Sequence, residues 1–141
     1  MDINQVQFDL VSPERLLVSD PFDMVVVPGS EGDFGVLPRH SPMIATLRPG
    51  VIDIYENGVV ADRLFVAGGF AEVTPDRLTV LAEEAIAVVD IDAAAAKTRL
   101  KEGKEAYEEA DTDAARSAAE AEIAIAEAML AAVVKTDGAS H

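Results

Sequence analysis

Apolar and polar residues alternate along the first 88 positions with the period of two that is typical of β-strands. Val6, Phe8 and Leu10, for example, are separated by polar residues and would share one face of a strand. Asn57-Gly58 lies between two such runs and predicts a hairpin, because a type I′ turn needs a positive φ at both central positions. Eight to ten short strands at regular spacing indicate a sandwich or a flattened barrel.

From about residue 91 the period changes to 3.6, which is typical of amphipathic helices. Asp90 or Asp92 could cap a first helix, and residues 111–113 offer a cap for a second. We expect the second helix to end near Val134. The apolar stripe of the first helix comprises Ala93, Ala96, Leu100, Gly103 and Tyr107. That of the second helix comprises Ala114, Ala118, Ala121, Ile125, Ala128, Met129 and Ala132. The short polar link between the helices predicts an antiparallel helical hairpin.

These patterns predict an α+β protein in two parts, a β-sandwich over residues 1–88 and a helical hairpin over residues 91–135. Residues 136–141 are expected to be a disordered tail. The composition changes at the same point, since all seven prolines lie at or before Pro75 and 16 of the 24 alanines lie in residues 93–132.

The net charge of −15 makes nucleic acid and anionic membrane surfaces poor partners. The chain has no cysteine and only two histidines, so thiolate chemistry is excluded and no metal site is expected. No apolar run is long enough to cross a bilayer, and we expect a soluble product.

The glycine-rich segment at residues 29–35 lacks the Lys-Ser/Thr pair of a phosphate-binding loop, and its two acids would repel phosphate. It is interpreted as a turn-rich loop of the sandwich or as an exposed acidic loop that meets a partner. His40, which is held between two prolines, fits a structural or interface role better than a catalytic one. Glu83-Glu84 and Glu108-Glu109 are interpreted as solvated element ends, so no catalytic residue is predicted.

The pattern G-S-E-G-x-x-G-x-L-P-x-H-x-P at residues 29–42 closely resembles the epsilon subunit of the F-type ATP synthase. The resemblance covers essentially the whole chain, and it is carried further by residues 8–14, 47–52, 65–73 and 78–83. It implies a ten-stranded β-sandwich followed by a helical hairpin. It also implies a non-catalytic rotor subunit of the central stalk, which couples proton translocation through the c ring to ATP synthesis.

The partners that the resemblance implies are the gamma subunit and the ring of c subunits. The loop with Glu31, Gly32 and Asp33 would face the c ring, and Ser12 and His40 would face gamma. The subunit would then be peripheral, on the cytoplasmic face of the cell inner membrane, and would need no cofactor.

The hairpin departs from the family pattern in two respects. Some members bind ATP through I/L-D-x-x-R-A; Asp92 and Ala96 match this motif, but Ala95 stands where the arginine should be. Inhibitory members contact an acidic segment of the beta subunit with basic residues, whereas residues 112–134 here carry a net charge of −3. We therefore expect weak regulation of ATP hydrolysis; the alternative is a nucleotide-sensing binding module that acts through the hairpin.

Overall fold

The computed structural model describes the backbone of residues 4–139 and the side chains of residues 4–134. The chain divides into two compact units between Ala87 and Val88. The strands are β1 (Val6–Val11), β2 (Leu16–Phe22), β3 (Met24–Gly29), β4 (Gly32–Val36), β5 (Met43–Glu56), β6 (Val59–Thr74), β7 (Arg77–Leu81) and β8 (Ala85–Ala87). A 3₁₀ turn at Val88–Asp90 precedes the helices α1 (Ala93–Glu109) and α2 (Asp113–Ala139).

The strands are hydrogen-bonded in the order β2-β1-β7-β6-β5-β3-β4, and β8 pairs with β6. All the described pairings are antiparallel except that of β1 with β7, which brings the first strand beside one far along the chain. Asn57 and Gly58 have φ values of 55° and 80°, as the predicted turn between β5 and β6 requires.

The sheet folds over on itself because β5 and β6 are long enough to serve in two layers. The first half of β6 pairs with β8 through Leu64–Val66, whereas its second half pairs with β7 through Phe70–Thr74. The apolar faces of β1, β3, β5, β6 and β7 contribute to one buried core, which requires that the two halves of the sheet face each other.

The prediction of an α+β protein with a β-sandwich and a helical hairpin is thus confirmed. The described residues form eight continuous strands rather than ten. The difference arises because β5 and β6 pass through both layers unbroken, and each would count as two strands in a layer-by-layer description.

Glycine is required in β6 where this strand passes between the layers. Gly69 has a φ of +133°, which side-chain-bearing residues rarely adopt, and a Cβ there would overlap the carbonyl oxygen of Leu81. The backbones of β6 and β7 therefore approach each other more closely at Gly69 than any other residue would allow.

In the helical unit, Asp92 is the N-cap of α1, and its Oδ1 accepts hydrogen bonds from the backbone N–H groups of Ala94 and Ala95. The cap of α2 comes from Thr112, whose hydroxyl oxygen accepts from the Ala115 N–H at 3.0 Å. The helices approach closely at Gly103, where a Cβ would lie 3.0 Å from Cγ1 of Ile123.

The predicted stripe of α1 is confirmed at Ala96 and Gly103, which are buried, but not at Tyr107, which is 42% exposed. The predicted stripe of α2 is wrong in its first half. Ala114, Ala118 and Ala121 are exposed, and Ala119 and Ala126 are buried in their place. An alanine-rich helix offers almost the same apolarity on several faces, so the pattern does not specify which face packs.

The second helix extends to Ala139, past the end near Val134 that the stripe predicts. Residues 136–139 thus continue α2, where the sequence indicated a disordered tail, because no proline follows Val134 and Gly138 falls only in the last turn. Residues 140 and 141 lie outside the described part of the chain.

Replacement of Gly69 by alanine should destabilise the sandwich through the overlap with the Leu81 carbonyl. Gly32→Ala is a matched control, since Gly32 has nearly the same φ, +137°, but no atom within 4 Å of a Cβ. In urea unfolding we expect Gly69→Ala to lose about 2 kcal/mol more than the control. Equal losses would mean that only the backbone conformation requires glycine.

Candidate functional site

The acidic loop, residues 30–33, comprises the turn between β3 and β4 and the first two residues of β4, and it is hydrogen-bonded to β5. Both the backbone N–H and the hydroxyl of Ser30 donate to the carbonyl oxygen of Thr46, at 2.9 and 2.7 Å. Gly32 takes the positive φ that closes the turn, and a Cβ on it would have no atom within 4 Å. The loop therefore projects from the sandwich in a defined conformation.

Arg48 of β5 stabilises the acidic loop through two hydrogen bonds. Its guanidinium donates from Nη1 to the carbonyl oxygen of Gly29 at 2.6 Å and from Nη2 to Oδ1 of Asp33 at 2.5 Å. Asp33 is still 59% exposed, but its carboxylate is engaged, whereas the exposed Glu31 makes no ion pair with a described residue. Sequence reasoning missed Arg48, because nothing in the pattern links it to a residue 15 positions away.

An apolar groove of about 640 Å³ lies beside the loop. Its lining includes Ser12, Thr46, Gly68, Phe70, Leu81 and Ala82. Phe70 and Leu81 are cross-strand partners that are 56% and 53% exposed. Thr46 joins the two features, since it lines the groove and its carbonyl holds Ser30.

Sequence reasoning placed Ser12 at an interface but did not find the groove. The available signal was that Phe70 and Leu81 occupy outward positions of their strands, where polar residues are expected.

Ser12 shapes the turn between β1 and β2. Its N–H donates to the carbonyl of Arg15 at 2.9 Å, and its hydroxyl accepts from the Arg15 N–H at 3.3 Å. These bonds place the side chain at the rim of the groove, and they give the hydroxyl a structural role in the turn.

His40 lies near the other end of the same layer, at the turn between β6 and β7. The neighbouring Arg39 N–H donates to the carbonyl of Pro75 at 2.6 Å, and Nδ1 of His40 lies 2.8 Å from the carbonyl oxygen of Ser41. Phe70 lines the groove together with Ser12, and Thr74 precedes Pro75. These two residues of β6 are four positions apart, which is about 14 Å along the strand. The structure thus places Ser12 and His40 on one layer but does not bring them together.

A polar network surrounds Asp9, which is 9% exposed on β1. Its carboxylate accepts from Gln7 at 3.1 Å and from Ser19 at 2.8 Å, and it pairs with the Arg77 guanidinium. Burial acts to raise the pKa of Asp9, but the hydrogen bonds from Gln7 and Ser19 and the charge of Arg77 together outweigh it. The pKa therefore lies below the ordinary value of 3.8.

In the hairpin, the two residues that match the nucleotide motif have structural roles. Oδ1 of Asp92 caps α1, and Ala96 is 3% exposed in the helical packing. The guanidinium of Arg99, one turn beyond Ala95, forms two hydrogen bonds of 3.1 and 3.2 Å to the carboxylate of Glu122.

Within residues 4–134, no three His, Asp or Glu side chains are arranged to hold a metal ion. Neither α1 nor α2, over their described lengths, combines the length and apolar character that crossing a bilayer needs.

The class of protein follows from comparison of the sandwich and of the whole chain with known proteins. Residues 5–88 match the family described as "ATP synthase, Delta/Epsilon chain, beta-sandwich domain". The chain is 57% identical over 129 residues to the ATP synthase epsilon chain of Paramagnetospirillum magneticum, covering 92% of this chain and 97% of that one. It is 54% identical over 126 residues to the epsilon chain of Rhodospirillum rubrum, covering 89% and 94%.

Two solved structures are also similar. A chain in the cryo-EM structure of the Euglena gracilis mitochondrial ATP synthase, OSCP/F1/c-ring, superposes with a TM-score of 0.79 at 25% identity, covering 92% of this chain and 82% of that chain. A chain of the Tetrahymena thermophila central stalk and c ring shares the fold, with a TM-score of 0.62 at 15% identity over 91% and 96%. The chain belongs to the family of F-type ATP synthase epsilon subunits, and it is an accessory rather than a catalytic component.

Replacement of Asp9 by asparagine should make stability less dependent on pH. The pKa of Asp9 is lower in the folded state than its ordinary value of 3.8. The contribution of Asp9 to the free energy of unfolding is therefore complete above pH 3.8, and it is lost as the pH falls through the folded-state pKa. Denaturant unfolding at pH 7 should show a loss of about 1–2 kcal/mol, moderated by the exposure of Arg77, and the difference should shrink below pH 3.8. Asp20→Asn, an exposed change on β2, should have little effect at either pH, and equal effects of the two variants would contradict the role of the network.

Proposed function

We propose that this subunit is a rotor component of the central stalk that couples proton translocation through the c ring to ATP synthesis. The observation that carries the proposal is the juxtaposition of the braced acidic loop and the apolar groove, which meet at Thr46. The acidic loop offers charge and the groove offers apolar area, which suits contact with two different partners at once.

The acidic loop is assigned to the c ring. Glu31 stands at its tip, Gly32 leaves the backbone open, and Asp33 is held beside them by Arg48. A preorganised loop loses little conformational freedom on binding, which supports its use as a fixed contact with polar loops of the ring. Contact with the ring would place the subunit at the cytoplasmic face of the inner membrane, as a peripheral component.

The gamma subunit is assigned to the layer that carries Ser12 and His40. The groove beside Ser12 exposes Phe70 and Leu81, and large exposed apolar side chains are enriched where a protein meets a permanent partner. The separation of Ser12 and His40 along the layer supports a broad contact surface rather than a single pocket.

The helical hairpin is assigned a weak regulatory role. Residues 112–134 contain one arginine, Arg116, which pairs with Asp113, so little positive charge is left for an acidic segment of the beta subunit. We also propose that the hairpin holds no ATP, since Asp92 is engaged as a cap and Arg99 is paired with Glu122. The same two contacts argue against a nucleotide-sensing module.

Glu31→Arg should weaken the contact with the c ring without unfolding the protein, because the side chain is exposed and makes no ion pair with a described residue. We expect a several-fold fall in proton pumping driven by ATP hydrolysis in reconstituted vesicles, with an unchanged unfolding temperature. Asp62→Arg, an equal charge reversal at the start of β6, should leave pumping unchanged. Equal pumping by both variants would argue against the assignment of the loop.

Deletion of residues 91–141 should raise ATP hydrolysis by the reconstituted enzyme only slightly. The physical reason is that an acidic α2 would be repelled by an acidic partner surface. Hydrolysis is compared between enzyme carrying the whole chain and enzyme carrying the shortened one, at equal occupancy. A several-fold rise on deletion would show strong inhibition and contradict the proposal.

A further inference from the structure

The arginines of the sandwich differ in how their charge is neutralised. Residues 1–92 hold 16 acidic residues and five basic ones, all arginines. Three of the five form ion pairs: Arg48 with Asp33, Arg63 with Asp53, and Arg77 with Asp9. In so acidic a unit, an arginine without a carboxylate partner needs an explanation.

Arg15 and Arg39 form no ion pair with a described side chain. Arg15 shares a small cleft with Glu83 and Glu84, so carboxylates lie close to it. Arg39 lies close to the turn that contains Asp76, but the Asp76 carboxylate accepts a hydrogen bond from Thr74 and forms no ion pair with Arg39. The guanidinium of Arg39 is thus exposed, and it forms no ion pair with a described residue.

Arg39 also adopts a backbone conformation that is unfavourable for its residue type. Its φ is +64°, in the left-handed region, which glycine occupies freely and which costs other residues free energy. The conformation is held by the 2.6 Å bond from its N–H to Pro75, and by the turn in which the His40 N–H donates to Leu37 at 3.3 Å. Glycine would satisfy the same backbone bonds without strain, so the backbone conformation alone does not account for an arginine at this position.

The surroundings of Arg39 have the composition of a binding surface. Leu37 is 53% exposed and Ile44 is 74% exposed, on either side of the segment that contains Arg39 and His40. Arginine among exposed apolar side chains is enriched at protein interfaces, where a guanidinium can form two hydrogen bonds to one carboxylate.

We infer that Arg39 is a contact residue of the surface around His40 and that it pairs with a carboxylate of the gamma subunit. The inference deepens the proposed function and rests on its assignment of this layer to gamma. The charge of Arg39 supplies complementarity to an acidic group, and the turn fixes the direction in which the side chain leaves the backbone. Arg39 thus contributes to binding at a cost to the stability of the isolated subunit.

The test is to titrate this subunit into an F1 complex that carries gamma but has been depleted of the chain. Arg39→Gly should weaken binding by about tenfold at low salt, and its affinity should depend less on salt than that of the unchanged chain. Its unfolding temperature should be equal or higher, because the left-handed strain is relieved. Arg39→Lys should recover part of the affinity.

Asn57→Gly is the matched control, since Asn57 is the other described non-glycine residue with a positive φ, at 55°. It should leave binding unchanged. Arg39→Asn, which also tolerates the left-handed region, replaces the glycine variant if the latter does not fold.

Equal binding by the glycine variant and the unchanged chain would overturn the inference and leave the proposed function intact. A loss of affinity that is the same at every salt concentration would overturn the ion pair. Failure of the unchanged chain to bind would overturn the assignment to gamma, and this inference with it.

Discussion

The architecture depends on the passage of two strands through both layers of the sandwich. β5 and β6 remain hydrogen-bonded to each other along nearly their whole length while the sheet folds over. Such a fold needs a point where backbones can approach without side chains between them, and Gly69 provides it against the carbonyl of Leu81. The single core and the apolar groove both follow, since the groove is open where Gly68 and Gly69 leave space.

The candidate site combines two kinds of constraint. The acidic loop is defined by hydrogen bonds to β5, from Ser30 to Thr46 and from Arg48 to Gly29. The layer that carries Ser12 and His40 is defined by strand pairing, with its exposed apolar residues at outward positions. Thr46 of β5 connects the two features, since its carbonyl oxygen accepts from Ser30 and it lines the groove beside Ser12.

Much of the fold could be predicted from the sequence, because local patterns report local structure. The alternation around Phe8, the Asn57-Gly58 turn and the cap at Asp92 were all readable, since each depends on residues close in sequence. The packing face of α2 was not, because an alanine-rich helix has several equivalent faces. The brace from Arg48 to Asp33 and the groove at Phe70 could not be predicted either, since both arise from pairings between distant segments.

The bond from Ser30 to Thr46 has a mechanical consequence. Thr46 belongs to a strand whose hydrogen bonds to β6 lie across the direction of the chain. A pull on the acidic loop along β5 would load those bonds together, in shear, rather than peel them apart one by one. A displacement of the loop along β5 would thus pass through β6 and β7 to β1, the strand that precedes Ser12.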